Sequence, residues 1–261
     1  MILQSEILSL LRQRGSCTIN ELAELFNVSG ETIRRNVKPL VADGMALKVH
    51  GGIVLPEHFQ EPPIQKRMHQ QKEAKKRIAV AVAQHLKHGD SLIVDTGSTT
   101  EYVAQALYQH KDLTVVTNSS YIANLLASRN KNRVFMAGGE LRAHDAAAFG
   151  AAAIEFIQQF EVSYAILSIG AIHQTKGCMD YHLCEAEFSR AMIEQVETVI
   201  VVADSTKFGL TRSVKVCELE KIDILVTDEP PPLEFERSLR DAEVRVIIAQ
   251  SKTSSDTVVT S

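Results

Sequence analysis

Residues 91–107 read SLIVDTGSTTEYVAQAL: a short apolar run, a polar turn holding Gly97, and a segment of helical composition. A strand that feeds directly into a helix is the repeating unit of parallel sheets, because parallel neighbours need a crossover connection and that crossover is usually helical. The same alternation recurs downstream as LTVVTN, RVFMAGG, YAILSIG, TVIVVAD, DILVTD and VRVIIA, each separated from the next by helix-forming residues. The body of the chain is therefore expected to be α/β with a mostly parallel sheet.

Open α/β sheets bind ligands at the carboxyl ends of their strands. Here those ends carry Asp95-Thr96-Gly97-Ser98-Thr99-Thr100, Thr117-Asn118-Ser119, Gly138-Gly139-Glu140-Leu141-Arg142, Ser168-Ile169-Gly170-Ala171 and Asp204-Ser205-Thr206-Lys207. The first is the most informative. A glycine and three hydroxyl residues between strand and helix point free amides and the helix dipole at whatever sits above Ser98, a geometry suited to a phosphate. Arg142 and Lys207 could neutralise it, while Asp95, Asn118 and Glu185 could hydrogen-bond sugar hydroxyls. The bland alternative is a serine that merely caps a helix.

Upstream, PEHFQEPPIQKRMHQQKEAKKR is polar and holds Pro56, Pro62 and Pro63, which places a hinge near 56–64. The helical segment from Ile64 carries the apolar stripe Ile78, Val82 and Leu86, and its lysines read as a solvated face.

The first 56 residues have a different character. SEILSLLRQRG predicts a helix ending at Gly15, and TINELAELFN a second with Thr18 and Glu21 in capping-box register. In SGETIRRNVKPLV (29–41), Ser29 can cap a third helix whose stripe Ile33, Val37 and Leu40 is buried. Its other face shows Thr32, Arg34, Arg35 and Lys38. Pro39 should stop this helix by about Lys38. MALKVHGGIVLP then alternates around Gly51-Gly52, a pair able to supply the positive φ angles of a tight hairpin, with Lys48 and His50 at its tip. Helix, turn, helix and wing is a layout that enters the DNA major groove. Ser29, Thr32, Arg34, Arg35, Lys38, Lys48 and His50 are the candidate DNA contacts.

Charge agrees with this division. The net charge is −4, but residues 1–90 are net +4 and the rest net −8, a basic head on an acidic body. The chain is long and apolar enough, at 261 residues and 45% hydrophobic, for one large domain and one small one. No apolar run is of membrane-spanning length, no leader is recognisable, and the four scattered cysteines suit reduced thiols, so a cytoplasmic protein without a membrane partner is expected.

With VSGETIRRNVKPL, HGGI, VDTGSTT, VVTNS, AGGELR, FG, LSIGA and ADSTKFG in order, the chain resembles the DeoR family (DeoR/GlpR-type) of bacterial transcriptional regulators over essentially its whole length. The resemblance implies an N-terminal winged helix-turn-helix on operator double-stranded DNA and a C-terminal sensor domain similar in fold to ribose-5-phosphate isomerase. It also implies a phosphorylated sugar or polyol effector, a homo-oligomer (dimer or tetramer), and repression of a carbohydrate-catabolic operon. On this sequence the expected effector residues are Asp95, Gly97, Ser98, Thr99, Thr100, Asn118, Ser119, Gly139, Arg142, Gly170, Glu185 and Lys207. The expected domains are 1–56, a linker and connecting helix 57–76, a sensor 77–254, and a polar tail 255–261. Asn36 and Val37 stand where the family usually has Asp and Leu, Pro39 is unusual, and Gly170-Ala171-Ile172-His173 replaces a Gly-Ile-Asp.

Two rival readings exist. Asp95, Glu185 and Lys207 could serve a sugar-phosphate isomerase, which would have no use for the head. His173, Cys178, His182 and Cys184 are metal-type ligands, but their spacing matches no common zinc pattern, so neither metal nor cofactor is expected.

Overall fold

The computed structural model describes residues 2–49, 51–55 and 61–249. It divides into two compact units, residues 1–62 and 63–261.

The first unit contains α1 (Ile2–Arg14), β1 (Ser16–Thr18), α2 (Ile19–Leu25), α3 (Gly30–Ala42), β2 (Leu47–Val49) and β3 (Gly52–Val54). Its core is Ile7 and Leu11 from α1, Leu22 from α2, Ile33, Val37 and Leu40 from α3, and Ile53 from β3. The caps are those written in the sequence. Glu21 N–H donates to Thr18 Oγ1 while Glu21 Oε2 accepts from Thr18 N–H, and Thr32 N–H donates to Ser29 Oγ. The strands are antiparallel in the order β1-β3-β2. Val49 pairs with Gly52 at the end of the wing, and Gly51 has φ +79. Gly52 serves a different purpose from the one its pairing with Gly51 suggested. A Cβ at 52 would lie 2.4 Å from the Cys17 carbonyl oxygen, so only glycine lets β3 approach β1.

Pro39 does not stop α3, which runs on to Ala42 with the proline inside it. The ring removes a single bond, the one its nitrogen would have given to the Arg35 carbonyl. Arg35 lies on the exposed face, where water can take that carbonyl. Val37 and Leu40, on either side of the proline, are both buried, and Asp43 N–H closes the last turn on the Pro39 carbonyl at 2.8 Å. Packing outweighs the lost bond. Pro39→Ala should therefore stabilise the first unit by about 1–3 kcal/mol, since proline is the worst residue for a helix interior. Chemical denaturation of parent and variant measures this, and a loss of stability would contradict it.

The second unit runs α4 (Ile64–His69), α5 (Lys72–His85), β4 (Ser91–Val94), α6 (Ser98–Ala106), β5 (Thr114–Thr117), α7 (Ser120–Ala127), β6 (Arg133–Met136), α8 (Ala151–Ile157) and β7 (Val162–Ser168). It continues with β8 (Ala171–His173), β9 (Gly177–Asp180), α9 (Leu183–Ile193), β10 (Val196–Val202), β11 (Val214–Cys217), β12 (Ile224–Thr227), α10 (Leu233–Asp241) and β13 (Arg245–Ile248). The seven strands expected from sequence form one parallel sheet in the order β13-β12-β10-β7-β4-β5-β6. Alternate residues face opposite layers, as the strand period requires. Leu92 and Val94 join Ile78, Val82, Val103 and Ile122 of α5, α6 and α7, whereas Ile93 joins Ile157, Phe188 and Phe235 of α8, α9 and α10.

From β4 the chain steps outward to β5 and β6, then returns to place β7 on the other side of β4. The order reverses between β4 and β7, where doubly wound sheets open a crevice. A small antiparallel sheet, β11-β9-β8, which sequence periodicity did not announce, holds the residues that follow β7. No helix of the described residues is long and apolar enough to cross a membrane.

Candidate functional site

On the first unit, Arg34, Arg35 and Lys38 stand exposed on α3, with Thr32 half-buried and Ile33, Val37 and Leu40 turned inward. The arginines differ. Arg34 lies 3.4 Å from Glu31, an exposed pair, while Arg35 and Lys38 make no ion pair among the described residues. Ser29 Oγ is occupied by the cap and by Thr32 Oγ1 at 2.9 Å. Asn36 turns back to donate to the Thr32 carbonyl. Lys48 is exposed on β2. His50 lies outside the described residues. Among the described residues, Arg35, Lys38 and Lys48 are exposed cations of this surface outside any ion pair.

On the second unit, the ends of β4 and β7 meet through Asp95 and Ser168. Asp95 is buried and accepts from Ser168 N–H at 2.9 Å and from Ser168 Oγ. Burial pushes its carboxyl well above the usual range, against the hydrogen bonds of Ser168 and Thr100. It ties the two loops together. Gly97 permits the contact, since a Cβ there would lie 2.0 Å from Ser168 Oγ and 2.9 Å from Ser168 Cβ.

Gly97 has no side chain to cap α6, and Glu101 is the first residue of the helix to donate back, to the Gly97 carbonyl. The N–H groups of Ser98, Thr99 and Thr100 have no acceptor among the described residues. Three donors at the positive end of a helix form an anion site in waiting. Lys207 is half-buried beside it. Burial lowers its pKa, Asp204 opposes that, and Arg212 and Arg67 reinforce it.

Lys75 belongs to this cluster and was missed. Read as part of a solvated face, it is instead 4% exposed, with Nζ donating to Ser98 Oγ at 3.0 Å and to the Arg67 carbonyl at 2.6 Å. Burial brings its pKa down to about 8, with Asp204 pulling it up and Lys207 and Arg67 pushing it down. A signal for it existed: Lys75 precedes Ile78 and Val82 by three and seven residues, in register with the buried stripe. Glu101 is likewise buried, and burial raises its carboxyl to about 7.

The remaining residues make a second group. Arg142 donates from Nε to Asp145 at 3.0 Å and from Nη2 to both Asp145 and Glu185, with the Phe149 ring 4.4 Å from its guanidinium carbon. Burial works against this charge, but the two carboxylates more than offset it and raise the pKa. Arg142 is thus already matched. Glu185 Oε2 and Asn118 Oδ1, by contrast, are buried acceptors with no hydrogen-bond partner among the described residues. Asn118 Nδ2 donates to the Ala148 carbonyl, and Ser119 caps α7 through Ile122 N–H. Gly139 has φ +146, and Gly170 has Asp180 and the Tyr181 ring at 3.0 Å from where a Cβ would be. His173, Cys178, His182 and Cys184 do not come together as one ligand set among the described residues. His173 Nδ1 instead accepts from the Thr175 and Lys176 amides.

Residues 4–59 match the family model described as DeoR-like helix-turn-helix domain, and residues 70–229 match the DeoR C terminal sensor domain. The chain belongs to the DeoR family. Among DeoR-type relatives, the glycerol-3-phosphate regulon repressor of Escherichia coli (strain K12) is 36% identical over 92% of this chain and 95% of its own. The HTH-type transcriptional repressor CsqR of the same organism is 32% identical, covering 94% of each. Ribose 5 phosphate isomerase A from Neisseria gonorrhoeae superposes with a TM-score of 0.39 at 15% identity, over 53% of this chain and 54% of that one, a likeness too loose to bear on function. As a DeoR-family member the chain is a DNA-binding transcriptional regulator rather than an isomerase.

Proposed function

We propose that the chain represses a carbohydrate or polyol catabolic operon and that a phosphorylated sugar or polyol, held at the N-terminus of α6, sets its operator affinity. The observation that carries the effector class is the set of three amides at Ser98, Thr99 and Thr100 with no acceptor among the described residues, beside a half-buried Lys207. A dianionic group satisfies all of these donors at once. Asn118 Oδ1 and Glu185 Oε2, acceptors without partners among the described residues, then accept hydrogen bonds from hydroxyls of the rest of the ligand. Asp95, Gly97, Ser119, Gly139, Arg142 and Gly170 hold the loops around it. The repressor names of the relatives support the direction of control.

The operator is met by Arg35, Lys38 and Lys48, aided by Thr32 and Arg34, with Ser29 holding the start of α3. In this reading residues 1–56 are the head, 57–76 the connection, 77–254 the sensor and 255–261 a tail. The protein works in the cytoplasm, where its DNA is, and as an even-numbered oligomer if its operator is palindromic.

Calorimetric titration with glycerol 3-phosphate, ribose 5-phosphate and fructose 6-phosphate, each against its unphosphorylated parent, tests the effector class. At least one phosphorylated compound should bind about a hundredfold more tightly than its parent, since two or three charge-assisted hydrogen bonds are worth roughly 1.5–3 kcal/mol each before desolvation. A parent compound binding as tightly as its phosphate would remove the reading.

A further inference from the structure

We propose that Lys75 is both a ligand of the effector's phosphate and the residue through which its capture loosens α4, the helix that follows the Pro62-Pro63 junction; this rests on the effector reading above. The geometry is specific. Lys75 Nζ bridges Ser98 Oγ, at the phosphate end of α6, and the Arg67 carbonyl in α4. Arg67 O is one of the last four carbonyls of α4, which have no partner inside the helix. Lys75 supplies one, and places a positive charge at the negative end of the dipole.

α4 is only six residues long and cannot persist by its own backbone bonds. Its ties include burial of Ile64, packing of Met68 against the core, Tyr102 Oη donating to the Met68 carbonyl at 3.0 Å, and the Lys75 bond. The last two come from the effector side, Tyr102 from α6 itself and Lys75 through its bond to Ser98. A phosphate above Ser98 competes for the ammonium with a carbonyl that offers only a dipole, and it adds full opposite charge to the bond. Lys75 moves towards the phosphate, and the Arg67 carbonyl loses its donor. The ligand thereby changes the element that leads to the DNA-binding unit without touching it.

A pH signature accompanies this. The charged groups facing Lys75 are Arg67 from α4 and Asp204 and Lys207 from the loop after β10, with the Ser98 hydroxyl from α6. Its pKa of about 8 in the unliganded protein means that above that pH a proton must be taken up when phosphate binds. Affinity should then fall by up to about tenfold per pH unit above pH 8.

The experiment uses the full chain, with glycerol 3-phosphate and inorganic phosphate as probes. Hydrogen exchange in residues 64–71 of the parent should quicken on adding either probe at constant ionic strength. Lys75→Met should exchange quickly there without ligand, bind the probes at least tenfold more weakly, and show less than a twofold further change. Lys75→Arg should restore affinity to within about fivefold and lose the fall above pH 8, which a merely structural lysine would not do. If Lys75→Met does not fold, the parent's exchange and the Arg variant's pH profile still decide. Unchanged or slower exchange in the parent on binding, or parental binding and response in Lys75→Met, overturns this assignment alone. A parent that binds neither these probes nor ribose 5-phosphate or fructose 6-phosphate overturns the effector reading and this assignment with it.

Discussion

Arg35→Ala lowers affinity for operator DNA by about 5- to 150-fold, the loss expected when a side chain worth about 1–3 kcal/mol at a base edge is truncated. Arg35 is chosen because it is exposed on α3 and makes no ion pair among the described residues, whereas Arg34 already shares its charge with Glu31. Its truncation leaves the core of the head intact, because Ile33, Val37 and Leu40 occupy the other face. Titration of labelled DNA at 50 and 200 mM salt separates the two ways Arg35 could act. A base contact relaxes sequence preference, while a phosphate contact weakens all sequences alike and reduces the salt slope by about one. Affinity within twofold of the parent at both salts would show that α3 does not enter the groove by this face.

Ser98→Asp abolishes the response to phosphorylated ligands, with affinity reduced at least a hundredfold. The new carboxylate can still accept the bond from Lys75 that Ser98 Oγ now accepts, so the loop keeps its shape. It also sets a negative charge where the ligand's phosphate must sit. At about 4 Å and an effective dielectric near 20, each pair of like charges costs about 4 kcal/mol. Calorimetry on the folded variant checks this. Binding within tenfold of the parent would move the phosphate away from α6.

Much of this architecture is legible along the chain where the signal is local. Thr18 with Glu21, and Ser29 with Thr32, are separated by one helical turn, so both caps can be read from spacing alone. The seven parallel strands are short β-branched runs between helices, the inner ones largely buried, and composition suffices to find them. What escaped depends on distance. β1 is three residues long and makes sense only beside β3, whose Gly52 admits the Cys17 carbonyl. The β11-β9-β8 sheet adds β11 to the local β8-β9 pair across 34 to 39 positions, through strands of three or four residues. Pro39 misled because propensity is a local rule and the burial of Val37 and Leu40 is not.

The site divides in the same way. Gly97 and the three hydroxyl residues lie consecutively between a strand and a helix, and that adjacency is visible in sequence. The pairing of Arg142 with Asp145 and Glu185, the last of them 43 positions away, is not. Lys75 was concealed differently, as one lysine in a run where Lys72 and Lys76 are exposed. Its register with Ile78 and Val82 is what distinguishes it.

Fluorescence anisotropy of labelled DNA from upstream of the protein's own gene, titrated with and without the phosphorylated compounds and their parents, tests the central claim most directly. Tight, salt-sensitive binding that shifts at least fivefold with a phosphorylated compound and not with its parent is the predicted result. Absence of DNA binding at low salt, or a shift produced equally by the unphosphorylated parent, would contradict it.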